Sequence, residues 1–285
     1  MAQVTFVAEA HGNGHTAGNN FTFDIAKPTG TVDGDLMIAH IQTSNEAVTV
    51  ATLTGWTLKD SDTTAGNGAT YIFYKIASSE GSSYTWSVNT GGVGGNKGAL
   101  GAISTWRNNN ATTPIGQYSK NVDTTSNTTA VGTTITPLRA PDALLVAFTS
   151  NLGAELTYSA HSIANNNPTW TEVYDTTANG GAPALESIVC AYGLYPYITA
   201  TGAYNATISG SAKSTTYLMM IQSADFNLSG AFALTSAINA SESGAYSISA
   251  GFEATGTLSA TVATGLAKFT NLVKSATTWI NQNKG

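Results

Sequence analysis

An all-β chain, an antiparallel sandwich of jelly-roll type built from two related halves, is what this sequence predicts. Three observations predict it. Apolar and polar residues alternate over short runs, as in Phe21-Thr22-Phe23-Asp24-Ile25, which is the period of a half-buried strand. Clusters of Gly, Asn, Asp and Ser, such as "SDTTAGNG" and "NTGGVGGNKG", punctuate those runs in the way turns do. Finally, four segments recur in the same order in the two halves of the chain, a signature of repeated architecture.

The elements follow in order. "HGNGH" (11–15) reads as a polar turn, because Gly12 and Gly14 oppose a helix. Phe21–Ile25 is the first strand. Asp33-Gly34-Asp35 then opens into Leu36–Ile41, a nearly unbroken apolar run that fits a buried strand. Ala69–Tyr74 and Ser83–Val88 are aromatic and β-branched, as strands favour. Helical periodicity of useful length is absent before residue 260.

The repeat pairs "GDLMIAHI" (34–41) with "DALLVAFT" (142–149), and "GWTLKDSD" (55–62) with "TWTEVYDT" (169–176). It also pairs "TYIFYKIASSEGSSYTWSV" (70–88) with "SIVCAYGLYPYITATGAYNATI" (187–208), and "ALGAISTW" (99–106) with "YLMMIQSA" (217–224). The halves span about 25–110 and 135–228 of a sandwich over 1–228. The two units could close into one two-sheet sandwich or form two small sandwiches; an isolated sheet of this size would expose an apolar face, so one core shared by the halves is favoured. Trp56 and Trp170 hold matching places at its ends. Residues 229–285, rich in small residues, read as a C-terminal assembly arm or a small β-domain. Within it "FTNLVK" (269–274) and "WINQNK" (279–284) fit a hairpin better than the helix that Leu266, Phe269, Val273, Ala276 and Ile280 could also line.

Charged residues make up only 10% of the chain, against roughly 25% in an average domain. Lys and Arg total 11, the formal charge is −6, and no basic cluster exists, which argues against nucleic-acid binding. The opening "MAQVTFVAEAHGNGH" has neither a basic stretch before a long apolar run nor a membrane span, so no signal peptide and no membrane association are expected. Cys190 is the single cysteine, in an apolar setting. It reads as a buried hydrophobe, without disulfide or thiolate metal cluster.

Candidate chemistry is sparse. Asp33 and Asp35 could hold a cation. Yet the second half reads Ala140-Pro141-Asp142-Ala143, so a turn feeding a buried strand is the shared requirement and the better reading. Asp60 and Asp62, with Asn67, offer oxygen ligands in a glycine-rich loop, but the closing glutamate of a calcium loop is missing. His11 and His15 have zinc-like spacing without a third ligand. His40 reads as a packed or sheet-edge residue, its counterpart being Phe148. Scattered glutamates match no hydrolase motif. Tyr192, Tyr195, Tyr197 and Tyr204 are ordinary strand residues or, with neighbouring Asn and Thr, a glycan contact. No cofactor is expected.

The run "PTGTVDGDLMIAHI", "GWTLKDSD", "YIFYKIASSEGSSYTWSV", "ALGAISTWRN" resembles a β-sandwich common in tailed-phage and prophage structural proteins. The carrying residues are Gly34-Asp35, Gly55-Trp56-Thr57, Tyr74-Lys75-Ile76-Ala77 and Ala99 through Arg107. The resemblance covers roughly residues 25–228, and the "WINQNK" ending looks like short tails on phage proteins. The second half lacks the Gly-Asp pair, the Lys-x-Ala and the terminal Arg.

The resemblance implies a non-enzymatic structural protein on a virion exterior, as a tail or fibre component or a capsid decoration. Its partners would be other virion proteins and further copies of itself, a trimer among the options, held through the arm with Phe269, Trp279 and Ile280 as anchors. A carbohydrate- or receptor-binding module at a tail tip, meeting a host surface glycan, is the alternative. A polysaccharide-degrading enzyme ranks third.

Overall fold

A computed structural model describes residues 3–18, 20–64, 66–93, 95–137, 144–152, 155–178 and 186–224, and the strands 272–275 and 278–281. It divides the chain into two units, 1–228 and 229–285. No helix occurs among the described residues, and none is long and apolar enough to cross a membrane.

The first half of unit one contains β1 (Thr5–Thr16), β2 (Phe21–Ala26), β3 (Leu36–Thr43), β4 (Thr49–Val50), β5 (Thr57–Asp62), β6 (Thr70–Ile76), β7 (Ser83–Asn89) and β8 (Lys97–Arg107). They form an antiparallel sheet ordered β1-β8-β3-β6-β5 and a smaller one ordered β2-β7-β4. The sequence explains which strand goes where. β3, with its continuous apolar run, is buried at every residue, as a strand covered on both faces must be. β7 alternates strictly between exposed and buried, and so belongs to an outer sheet with one wet face.

The second half holds β9 (Ile115–Gly132), β10 (Leu144–Leu152), β11 (Tyr158–Ile163), β12 (Trp170–Thr177), β13 (Glu186–Leu194) and β14 (Tyr204–Ile221). Its large sheet runs β9-β14-β10-β13-β12, the order of the first half with each strand replaced by its counterpart. β11 joins the same sheet along the earlier part of β14, so that β9 and β14 form its two longest strands. The later part of β14 pairs β10 and the start of β9, whereas its earlier part pairs β11 and the end of β9. An irregularity between Thr207 and Ala212 marks the bend, a usual role for a bulge.

Register corrects one segment of the repeat. Leu36 faces Trp106, and Leu144 faces Ile221. The counterpart of Trp106 is therefore Ile221, not Ala224. The first half breaks between β7 and β8 at a glycine-rich turn, while the second half runs straight through as β14, so residues of that turn have no equivalent.

Packing also differs from a single shared core. There are three apolar layers. One lies inside the first half, with Phe23, Ile25, Phe73 and Trp86. A second lies inside the second half, with Leu145, Val189, Tyr204 and Leu218. The third joins the halves through Leu36, Ile38, Trp106, Val146, Phe148 and Met219. Each half is thus its own sandwich, and each large sheet is covered twice. The reason is that the central strands carry apolar side chains on both faces, and a two-sheet fold would leave one such face wet. At the junction His40 meets Phe148, ring centroids 5.5 Å apart. These two occupy equivalent positions in the repeat, so the contact lies where a local twofold between the halves would pass.

"HGNGH" is not a turn but the later part of β1. Glycine is needed there for close approach. A Cβ on Gly12 would stand 2.0 Å from the Asp24 carbonyl oxygen, and one on Gly14 would stand 2.8 Å from the Phe23 Cβ. Unit two contributes the described antiparallel pair β15 (Leu272–Ser275) and β16 (Thr278–Asn281), with Val273 opposite Ile280, which is the hairpin alternative for that stretch.

Candidate functional site

Several of the residues that carry the sequence resemblance, among them Gly34, Asp35, Lys75, Ala77 and Arg107, converge on one end of the first sandwich. Gly34 adopts φ +92°, so the turn needs a residue without a Cβ. Its N–H donates to the Ala77 carbonyl at 2.9 Å, and the Ala77 N–H donates to the Asp35 carbonyl at 2.8 Å. Asp35 is buried. Its carboxylate accepts from Arg107 Nε at 2.9 Å and Nη2 at 2.8 Å, and from the Val32 N–H at 3.0 Å. Asp33 accepts the Ser79 N–H at 2.7 Å. Lys75 pairs with Glu80 at 2.8 Å, and Tyr84 donates its hydroxyl proton to the same carboxylate at 3.0 Å. Burial would raise the Glu80 carboxyl, but Lys75, the Ser78 N–H and Tyr84 together hold it below its ordinary value. Burial and the Glu80 charge push the Tyr84 phenol up. The bidentate bond between the half-exposed Arg107 and the buried Asp35 fixes the geometry of the turn. The two aspartates proposed as cation ligands thus tie the turn to β8 and to the Ser79 loop.

Asp60 and Asp62 lie between the sandwiches. Lys120 reaches the Asp60 carboxylate at 3.0 Å. Thr64 and Thr215 donate their hydroxyls to the buried Asp62 at 2.7 and 2.9 Å. Asn67 donates over longer distances to the Asp123 and Ser214 carbonyls. Nearby, the Thr70 and Ser150 hydroxyls meet at 2.8 Å. All of these except the Thr64–Asp62 bond run from one half to the other. No group of three or more His, Cys, Asp or Glu suited to a metal ion occurs among the described residues.

Two buried titratable groups sit in the same layer. His40 is fully buried, its Nε2 lacks a hydrogen-bond partner, and burial lowers its pKa to about 3. It is packed in a central strand, not at a sheet edge. Glu186 is 1% exposed, its Oε1 likewise lacks a partner, and burial raises its pKa to about 7. A Cβ on Gly98 would come within 2.8 Å of that oxygen.

The four tyrosines do not form one surface. Tyr195 and Tyr204 are wholly buried. Tyr192 is half-buried between the sandwiches, its ring 5.4 Å from Trp106 and 6.1 Å from Phe6. Only Tyr197 is well exposed, at 44%. Trp56 and Trp170 occupy related settings. Trp56 meets Tyr84 edge-on at 5.3 Å, and Trp170 meets Tyr204 edge-on at the same separation.

Sequence reasoning missed a polar chain beside Tyr204. The His161 ring bridges the Tyr204 hydroxyl at 2.5 Å and the Glu172 carboxylate at 2.8 Å. Ala160 stands at φ +51°, within an irregularity of the β11–β14 ladder. That irregularity places the imidazole side by side with the Tyr204 ring. No sequence signal marks a left-handed alanine. Because Tyr204 is sealed in, with its phenol raised well above the ordinary value by burial, the chain holds a buried hydroxyl rather than presenting a nucleophile. Of the proposed anchors, Phe269 lies outside the described residues, while Trp279 and Ile280 are in β16.

Comparisons of the chain with protein-family models, with curated proteins and with solved structures find no match.

Proposed function

We propose that this chain is a non-enzymatic structural protein of a phage virion exterior, a tail or fibre component or a capsid decoration, assembled through residues 229–285. One observation carries the reading. The acids that the sequence offers for chemistry are engaged in holding the fold: Asp35 with Arg107, Asp60 with Lys120, Asp62 with Thr64 and Thr215, and Glu80 with Lys75. Glycoside hydrolysis would need two carboxylates facing a groove. Here the polar investment goes instead into ties across and between two sandwiches, which suits a part with a mechanical task. The motifs that resemble phage structural proteins are themselves members of those ties.

The test is mass spectrometry of particles purified from cells that carry this sequence, with gold-labelled antibody against the chain in electron microscopy. The reading expects the chain in particles at a fixed copy number and label at a constant place on the exterior. Particles that form without the chain, with the protein only in the soluble fraction, would overturn it.

A further inference from the structure

We propose that the loops 164–170 and 194–203, at one end of the second sandwich, form a binding site for a neutral glycan. The two loops are held as one surface. Pro168 packs where a Gly193 Cβ would stand, 2.6 Å from it. The Ala164 N–H donates to the Ala203 carbonyl at 3.1 Å, and the Asn165 N–H donates to the Thr201 carbonyl at 2.9 Å. Asn165 Nδ2 donates to the Ala200 carbonyl at 3.0 Å. Beneath them the buried Tyr195 hydroxyl is bound to Thr199 and the Ala200 carbonyl.

On this fixed base the Tyr197 ring stands edge-on to Tyr195, centroids 5.2 Å apart. It is 44% exposed, next to Ile198 at 62% and Leu194 at 39%. Asn165, Asn166 and Asn167 are exposed, and Asn166 Nδ2 lies 3.5 Å from the Tyr195 and Thr199 hydroxyls. Asn166 is held in the left-handed region at φ +49°, a conformation asparagine tolerates better than most residues. Asn167 uses its oxygen to accept from the Ile163 N–H and Trp170 Nε1, which leaves its amide nitrogen as a donor.

The chemistry selects the ligand. Neither loop contains a charged residue or a histidine. Their polar groups are carboxamides and hydroxyls, set around a flat ring and apolar neighbours. A pyranose offers a ring face of C–H groups for the aromatic side and a rim of hydroxyls for the amides. A charged ligand would find no counter-ion, and an uncharged sugar needs none. The proposal stands independently of the virion reading.

The experiment uses the full chain on an array of neutral hexose and N-acetylhexosamine oligosaccharides beside acidic polysaccharides, followed by calorimetry on the strongest neutral ligand. Tyr197→Ala and Asn166→Gly, the glycine accepting the left-handed backbone, are expected to weaken that ligand by about tenfold or more, while Tyr118→Ala, on another exposed tyrosine, leaves it unchanged. Unaltered thermal melts keep the comparison clean, since all three side chains are exposed or half-exposed. Absence of binding to any neutral glycan, preference for acidic ones, or indifference to Tyr197→Ala would overturn the site. So would a self-association of the chain that Tyr197→Ala abolishes, which would assign the loops to a contact between copies.

Discussion

Replacing Glu186 by glutamine should change how stability depends on pH. The carboxyl lies in the layer joining the sandwiches, 1% exposed and with one oxygen unpartnered. Burial raises its pKa from 4.5 to about 7. A group whose folded value is raised stabilises fully below the unfolded value and loses that contribution as pH rises through the folded one. Each unit of difference is worth ~1.4 kcal/mol. The ionised side chain therefore costs the fold about 3 kcal/mol once pH exceeds both values. Glu186→Gln keeps the shape and removes the charge. Its buried amide carries a desolvation cost of about 1–3 kcal/mol at every pH, so the informative quantity is the change in the difference between the two chains. Urea unfolding followed by tryptophan fluorescence, at about pH 4 and about pH 8.5, measures it. The difference should move by about 3 kcal/mol in favour of the variant at the higher pH. Contributions from His40 and Asp175 are common to both chains and cancel. Parallel pH profiles would refute the reasoning, because they would mean that the carboxyl is hydrated in the folded state.

Other perturbations test other parts of the structure. His40 has its folded value lowered to about 3, so the stability it confers is present above about pH 6.5 and is lost as pH falls towards the folded value. His40→Phe should flatten that acid limb in equilibrium unfolding. Phe148→Ala should cost about 3–5 kcal/mol by opening a cavity between the halves, read from the urea midpoint with an unchanged slope. Arg107→Ala should leave the buried Asp35 carboxylate without its bidentate partner, and Asp35→Ala combined with Arg107→Ala should recover part of the loss. A loss in the double variant equal to the sum of the separate Asp35→Ala and Arg107→Ala losses would show that the pair is not coupled.

Much of the fold was legible because it rests on local pattern. Phe21–Ile25 and Ser83–Val88 alternate, and both became strands of outer sheets. Leu36–Ile41 does not alternate, and it became a strand covered on both faces. That non-alternation is compatible with a third layer as well as with one shared core, because periodicity shows that a face is buried without showing by what. The repeat was visible until β14, where the absence of a turn moved the register by three residues, an event that matching of apolar residues alone does not detect. The glycines of "HGNGH" looked like punctuation, although their role is to admit a neighbouring backbone. The tyrosine-rich stretch drew attention as a group, but strand alternation and a bend sent its rings to three environments. The asparagine run at 165–167 and Tyr197 are far apart in sequence, and the pairings of β11 with β14 and of β12 with β13 bring their loops together.

The central claim is that the chain assembles through residues 229–285. Light scattering of the full chain beside a chain ending at residue 228 tests it most directly, since residues 1–228 form a unit with their own apolar layers. The account predicts a defined oligomer for the full chain and a folded monomer for the shorter one. Monomers in both cases, or the same oligomer in both, would contradict it.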